Sequence, residues 1–222
     1  VDYIEGIREK LSQSGKRAVI ALSDYKSEEE ISFLQVAKDN AFSGIFLINA
    51  VETPRLIEMI NSINAPVILV NRYLRSLECD LVKIDNYRCG YLATQYLIQH
   101  GHKRIAHLAG PTDSITCQDR TRGFKEAMVQ VELPILPEAI YFSNRNYFDC
   151  GKQFGQQIAQ MPEEERFTAI YSTNSLMASG LIEGLAIYSL MVPNQISLVC
   201  SDDSERFFHK NTTLTTVGYN PY

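Results

Sequence analysis

No stretch of this sequence approaches the ~18 consecutive apolar residues of a membrane-crossing helix. The opening Val1-Asp2-Tyr3-Ile4-Glu5 lacks the basic and apolar regions of a secretory leader. Basic residues are also scarce: 21 Lys and Arg stand against 26 Asp and Glu, for a formal net charge of −5. Neutralising a phosphate backbone takes a basic face, so direct nucleic-acid binding by this segment is disfavoured. The five cysteines are Cys79, Cys89, Cys117, Cys150 and Cys200. Their number is odd, they are scattered, and no Cys-x-x-Cys occurs. This argues against a disulfide framework and fits a reducing cytoplasm, with the thiols read as small buried apolar groups.

Catalytic signatures are lacking as well. There is no Gly-x-Ser-x-Gly elbow. Without a P-loop or a Gly-x-Gly-x-x-Gly turn, nucleotide phosphates have no cradle, and no cofactor is expected. His100, His102 and His107 lie close in sequence, but the first two flank Gly101 and the third falls inside an apolar strand. No fourth ligand stands at metal-site spacing, so structural roles are expected and no metal. Asp202-Asp203 could act in acid–base chemistry, but adjacent residues at a strand end point in different directions. An enzyme is therefore not expected.

What is present is a regular alternation. Apolar residues make up 45% of the chain and charged residues 21%, enough to bury an ordinary core. Val1 to Ser14 reads as an amphipathic helix with Ile4, Ile7 and Leu11 on one face. Arg17 to Leu22 reads as a strand, and Ser27-Glu28-Glu29-Glu30 as a capping box opening a helix to about Asn40. Gly44 to Ile48 is a strand, Thr53-Pro54 caps and starts the next helix, and Pro66 to Val70 is another strand. The second half repeats the rhythm. Helices are expected over Tyr87–Gln99, Asp119–Val131, Phe148–Gln160 and Leu176–Leu190. Strands are expected over Arg104–Leu108, Ala139–Phe142, Thr168–Tyr171 and Ile196–Cys200. Leu81 to Ile84 lies between the halves as a candidate crossover. Near-continuous apolar strands alternating with helices imply right-handed βαβ units and parallel sheets, about eight strands in all. One open sheet or two smaller ones fit the length.

Ligands of open α/β sheets sit beyond the carboxyl ends of the strands. The residues at those ends are rich in Asn, Asp, Ser and Arg: Ser23, Asp24, Asn49, Asn71, Arg72, Asp85, Asn86, Gly110 to Thr116, Ser143 to Asn146, Ser172 to Asn174, and Ser201 to Asp203. Groups that form two hydrogen bonds each suit neighbouring hydroxyls, as on a sugar. The same residue types also serve as helix caps and turn formers.

These residues carry a resemblance. Ala65-Pro66-Val67-Ile68-Leu69-Val70-Asn71-Arg72, Ile84-Asp85-Asn86 and Gly101-His102-Lys103-Arg104-Ile105-Ala106-His107-Leu108-Ala109-Gly110-Pro111 occur in this order. Arg120-Thr121-Arg122-Gly123-Phe124, Thr173-Asn174, Val192-Pro193-Asn194-Gln195-Ile196-Ser197 and Asp202-Asp203 follow. In order and spacing the chain resembles the effector-binding core of the lactose/galactose-repressor (LacI/GalR) transcription regulators.

The resemblance implies a periplasmic-binding-protein-like fold of two Rossmann-like α/β lobes with parallel sheets and a ligand cleft between them. The lobes would be 1–84 and 85–217, with 218–222 starting the return crossover. The first strand and an amino-terminal helix-turn-helix would lie outside this chain. It further implies a cytoplasmic homodimer that binds a sugar-like effector and contacts operator DNA through the helix-turn-helix. A periplasmic sugar-binding protein of the same fold is the alternative. Family effector contacts map onto Asn71 or Arg72, Thr116, Arg120, Asn174 and Asp202, with Tyr147 and Tyr219 nearby. Arg120 would be the anchor. Ordinary roles compete: Arg120 pairing on its helix, Asn174 capping the next helix, Asp202 bonding backbone amides. Three departures matter. Ser175 replaces the usual Asp after Asn174, Cys200-Ser201 replace Gly-Phe or Gly-Tyr, and Tyr219 stands where many members have Gln.

Overall fold

A computed structural model describes residues 2–24, 26–48, 50–144, 146–201 and 214–218. They form two compact units, one within residues 1–83 and one spanning 84–218.

The first unit contains α1 (Asp2–Gln13), α2 (Ser27–Asp39), β1 (Ile45–Ile48), α3 (Pro54–Asn61), β2 (Val67–Val70) and β3 (Asp80–Val82). Its sheet has the order β1-β2-β3 and is parallel throughout. Leu34, Leu56, Ile60 and Leu69 form the core. The Thr53-Pro54 start appears as expected: Thr53 Oγ1 accepts from the Leu56 amide at 3.2 Å, and Pro54 opens α3.

Two expectations are corrected in this unit and a third is sharpened. Residues 17–22 form no strand and pair with none among the described residues. Val19 is 76% exposed and Leu22 75%. Their β-branched and aliphatic side chains favour a pleated, half-buried setting, but that preference yields a strand only where a neighbour supplies a ladder and a face to cover. Leu81 and Val82, the first half of the candidate crossover Leu81–Ile84, belong to a third strand hydrogen-bonded to β2, and the division between the units follows at Lys83 and Ile84. The capping box also fails. Lys26 occupies the cap position with no side-chain bond, and Glu30 turns inward, accepting from Ser23 Oγ at 3.3 Å.

The second unit runs α4 (Asn86–Gln99), β4 (Ile105–Ala109), α5 (Ile115–Gln130), a 3₁₀ turn (Pro137–Ala139) and β5 (Ile140–Phe142). It continues through α6 (Tyr147–Gln160), β6 (Ala169–Ser172), α7 (Ser175–Ala186), β7 (Ser197–Cys200) and β8 (Thr215–Thr216). The order is β5-β4-β6-β7-β8, all parallel. Side chains alternate along each strand, which separates two cores. Ala106, Leu108, Ile170 and Leu198 meet α6 and α7 on one face. Ile105, Ala169, Tyr171 and Val199 meet α4 and α5 on the other.

Glycines set how closely the helices pair. A Cβ at Gly90 would overlap the Arg120 carbonyl, and one at Gly123 would overlap that of Tyr87. Gly151 and Gly155 on α6 meet α7 backbone, while Gly180 and Gly184 on α7 meet α6 backbone. Each pair of glycines is four residues apart, one helical turn, so the contacts are reciprocal and line one seam. The helix α5 begins four residues before the expected Asp119. The β-branched Ile115 and Thr116 obscured its first turn. The helix α7 ends at Ala186, short of Leu190, where Ser189 takes a positive φ of 60°.

Candidate functional site

In the second unit the strands end together, and polar groups collect at those ends. Arg120 stands in the second turn of α5, half-buried. Its guanidinium does not pair along its own helix. Nε donates to Asn86 Oδ1 on α4 at 2.9 Å, and Nη1 donates to the main-chain carbonyl of Thr173, just past β6, at 2.6 Å. No carboxylate forms an ion pair with it among the described residues. Both acceptors are neutral, and among the described residues Nη2 has no partner.

Asn174 follows Thr173. Its Oδ1 accepts from the Met177 amide at 2.8 Å, so it caps α7, and its Nδ2 lies 3.1 Å from Met177 Sδ. The capping role that competed with ligand contact is therefore real. Thr116, one turn before Arg120, is buried, with its hydroxyl 3.0 Å from Ser114 Oγ. Tyr147 opens α6 and packs on the core beneath α6 and α7. Thus Arg120 and Asn174 meet through Thr173, Thr116 shares the helix face of Arg120, and Tyr147 stands on a separate helix start. In the first unit, Asn71 and Arg72 follow β2. Asn71 has a positive φ of 70° and donates its amide to the Val82 carbonyl at 2.8 Å. Arg72 is buried, and its charge helps keep Glu30 ionised. Burial dominates at Glu30 and raises its pKa above the ordinary carboxylate value. Asp202 and Tyr219 lie outside the described residues.

Below Arg120 lies a buried polar column. His107 on β4 sits between the rings of Phe124 and Tyr171, with centroids 5.0 Å and 4.6 Å away. Its Nδ1 is 3.1 Å from the Tyr171 carbonyl and its Nε2 is 3.1 Å from Thr121 Oγ1. Burial pushes the His107 pKa down to about 3, and the Arg120 charge presses the same way. A neutral ring with both nitrogens engaged has neither a lone pair nor a proton to spare for chemistry. Tyr171 is likewise pushed up by burial, and its hydroxyl bonds Ser201 Oγ. His102 bonds Thr168 Oγ1 at 3.0 Å and His100 bonds the Tyr96 carbonyl at 2.8 Å, so each has a local structural role. Among the described residues, no group of three or more His, Cys, Asp or Glu is placed to hold a metal.

Two features escaped the sequence reading. Asn86 was visible as one of many polar strand-end residues and as part of the Ile84-Asp85-Asn86 segment of the resemblance, with no site role assigned to it. The usable signal is Gly90 one turn later, which lets α5 come close enough for Asn86 to reach Arg120. The Thr173 carbonyl is main chain and leaves no side-chain signature.

Comparison with known proteins agrees with this architecture. Residues 1–197 match the family described as periplasmic binding proteins and sugar binding domain of LacI family. The HTH-type transcriptional repressor PurR of Vibrio parahaemolyticus is 28% identical over 219 residues, 97% of this chain and 64% of its own length. The arabinose metabolism transcriptional repressor of Geobacillus stearothermophilus is 29% identical over 222 residues, 97% of this chain and 61% of its own. The chain therefore spans less than two thirds of these curated relatives. Among solved structures, the transcription regulator CcpA of Lactococcus lactis shares the fold at a TM-score of 0.86 and 21% identity, covering 97% of this chain and 78% of that one. A transcriptional regulator CelR–cellobiose complex does so at 0.79 and 23%, covering 91% and 62%. Two parallel α/β units and a family match over most of the sequence place this chain in the family of periplasmic binding proteins and LacI-type sugar-binding domains.

Proposed function

We propose that this chain is the effector-sensing part of a transcription regulator, binding a sugar or sugar derivative without transforming it. The carrying observation is Arg120, fixed by Asn86 and the Thr173 carbonyl, with Nη2 unengaged among the described residues. Such a nitrogen donates to a hydroxyl or carboxylate oxygen in a fixed direction. Asn174 and Thr116 add polar groups around it. The reading extends to Tyr147 and Asp202, and to Asn71, Arg72 and Tyr219, as further effector contacts by family resemblance. His107, the buried histidine beside Arg120, has both ring nitrogens engaged and none to act as a base, which supports binding over turnover.

Relatives named as repressors support the regulatory half of the reading. In this view the protein is a cytoplasmic homodimer that contacts operator DNA through a helix-turn-helix outside these 222 residues. The effector acts by population shift, and its usable energy is its difference in affinity for two arrangements of the protein.

The test is a thermal-shift panel of arabinose and cellobiose, the sugars in the names of two similar proteins, with glucose 6-phosphate and adenosine as a sugar phosphate and a nucleoside, followed by calorimetry. A true effector at 100 times its Kd adds about 2.7 kcal/mol. Stoichiometric binding without product, weakened at least tenfold by Arg120→Ala, is expected. Retention of affinity within twofold in Arg120→Ala removes the anchor, and turnover of any panel compound overturns the binding-only reading.

A further inference from the structure

Arg120 alone does not explain why its guanidinium stands where it does. An arginine side chain has four rotatable bonds and loses about 2 kcal/mol of rotamer entropy when fixed. On a half-exposed helix face it would otherwise sweep through solvent. The Thr173 carbonyl holds Nη1, and three observations show what fixes Nε. Asn86 is only 4% exposed and spends both halves of its amide: Nδ2 donates to the Ile84 carbonyl at 3.2 Å, and Oδ1 accepts from Arg120 Nε at 2.9 Å. The bond to Ile84 decides which way the amide faces, so its oxygen must look toward α5. Gly90, one turn further along α4, lies against the Arg120 carbonyl, where any Cβ would collide. That contact brings the two helices close enough for a side chain as short as asparagine to reach Nε.

We propose that Asn86 is the positioning residue for Arg120, setting the direction in which the guanidinium presents Nη2 to a ligand oxygen. The proposal rests on the effector-binding reading for its purpose, but the positioning itself can be tested without a ligand. Asn86 acts through Arg120 and does not touch the ligand. An amide suits the task better than a carboxylate. It supplies the acceptor without cancelling the charge, and its donor meets the Ile84 carbonyl, which a carboxylate oxygen would repel.

The experiment has two arms on the full 222-residue chain. The first follows arginine Nε–H signals by nitrogen-15 NMR, with the Arg120 signal assigned by its disappearance in Arg120→Lys. We expect the Arg120 Nε–H to exchange with water at least tenfold more slowly than those of exposed arginines such as Arg8. Asn86→Leu should abolish that protection, and Asn86→Asp, which keeps an acceptor, should restore it. Asn86→Ala serves equally should leucine prevent folding. Fast exchange in the unmodified protein, or protection that survives in Asn86→Leu and Asn86→Ala, overturns the proposal. The second arm measures Kd for whichever panel compound binds. A loss of tenfold or more in Asn86→Leu, together with a smaller loss in Asn86→Asp, supports it, and affinity held within twofold overturns it. If no panel compound binds, the effector reading fails, while the exchange arm still decides the positioning.

Discussion

The two units share one sequence rhythm but differ in how far that rhythm becomes structure. In the second unit all five strands pair, and β4 is buried along its whole length. In the first, three strands pair while Val19, Ile20 and Leu22 stand in solvent. The residue types of 17–22 are no worse for a strand than those of 105–109. The difference lies in what surrounds them, which is the sense in which β propensity is a property of context.

Core truncation should separate the units most. Phe124 is fully buried in the second unit, and Phe124→Ala is expected to cost about 3–5 kcal/mol in urea unfolding. Leu22→Ala should stay within about 0.5 kcal/mol, because the side chain is already hydrated. A large effect at Leu22 would show that 17–22 is covered in solution and erase the contrast. The next effect is at the helix seam. Gly90→Ala places a methyl against the Arg120 carbonyl and should cost about 3 kcal/mol. Gly6→Ala, on α1 with open space around it, should instead add about 1 kcal/mol of helix stability.

Acid should act on the units in opposite senses. The folded second unit holds His107 neutral with a pKa of about 3, against about 6.5 when unfolded. The unfolded chain therefore takes up a proton that the folded unit refuses. The stability is present above about pH 6.5 and falls as pH drops toward 3, by at most about 1.4 kcal/mol per pH unit. Glu30 in the first unit is raised by burial. Its contribution is present below the ordinary carboxylate value and is lost as pH rises through the folded one. His107→Phe should flatten the urea midpoint between pH 6.5 and 4.5, and an unchanged slope would assign the acid response elsewhere. The smallest effect is at the α7 cap: Asn174→Ala should cost about 1 kcal/mol, read in the same titration. No loss there would leave Asn174 to ligand contact alone.

Most of the second unit was legible because each element carried its own local signal. Strands of continuous apolar residues are those of a sheet covered on both faces, and Gly101 marked the end of α4 with a φ of 87°. What could not be read was relational. Glu30 matches a capping pattern letter for letter, yet its carboxylate turns to Ser23, because a local motif competes with whatever the fold offers nearby. The β3 strand is three residues of mixed polarity, and only its ladder with β2 makes it a strand. At the candidate site, Arg120 and Asn174 were named from resemblance and strand-end position. Their meeting point was hidden, since the group joining them is a backbone carbonyl.

The glycine seams bear on how a disturbance at Arg120 would spread. Where two helices touch backbone to backbone, there is no layer of flexible side chains to absorb a small displacement. Pulling on the α5 turn that carries Arg120 presses its carbonyl straight onto α4 at Gly90. The α4–α5 pair must then respond as a single stiff plate, and α6 with α7 as another. Any signal leaving this region would travel as a shift of whole slabs, with little lost to local give.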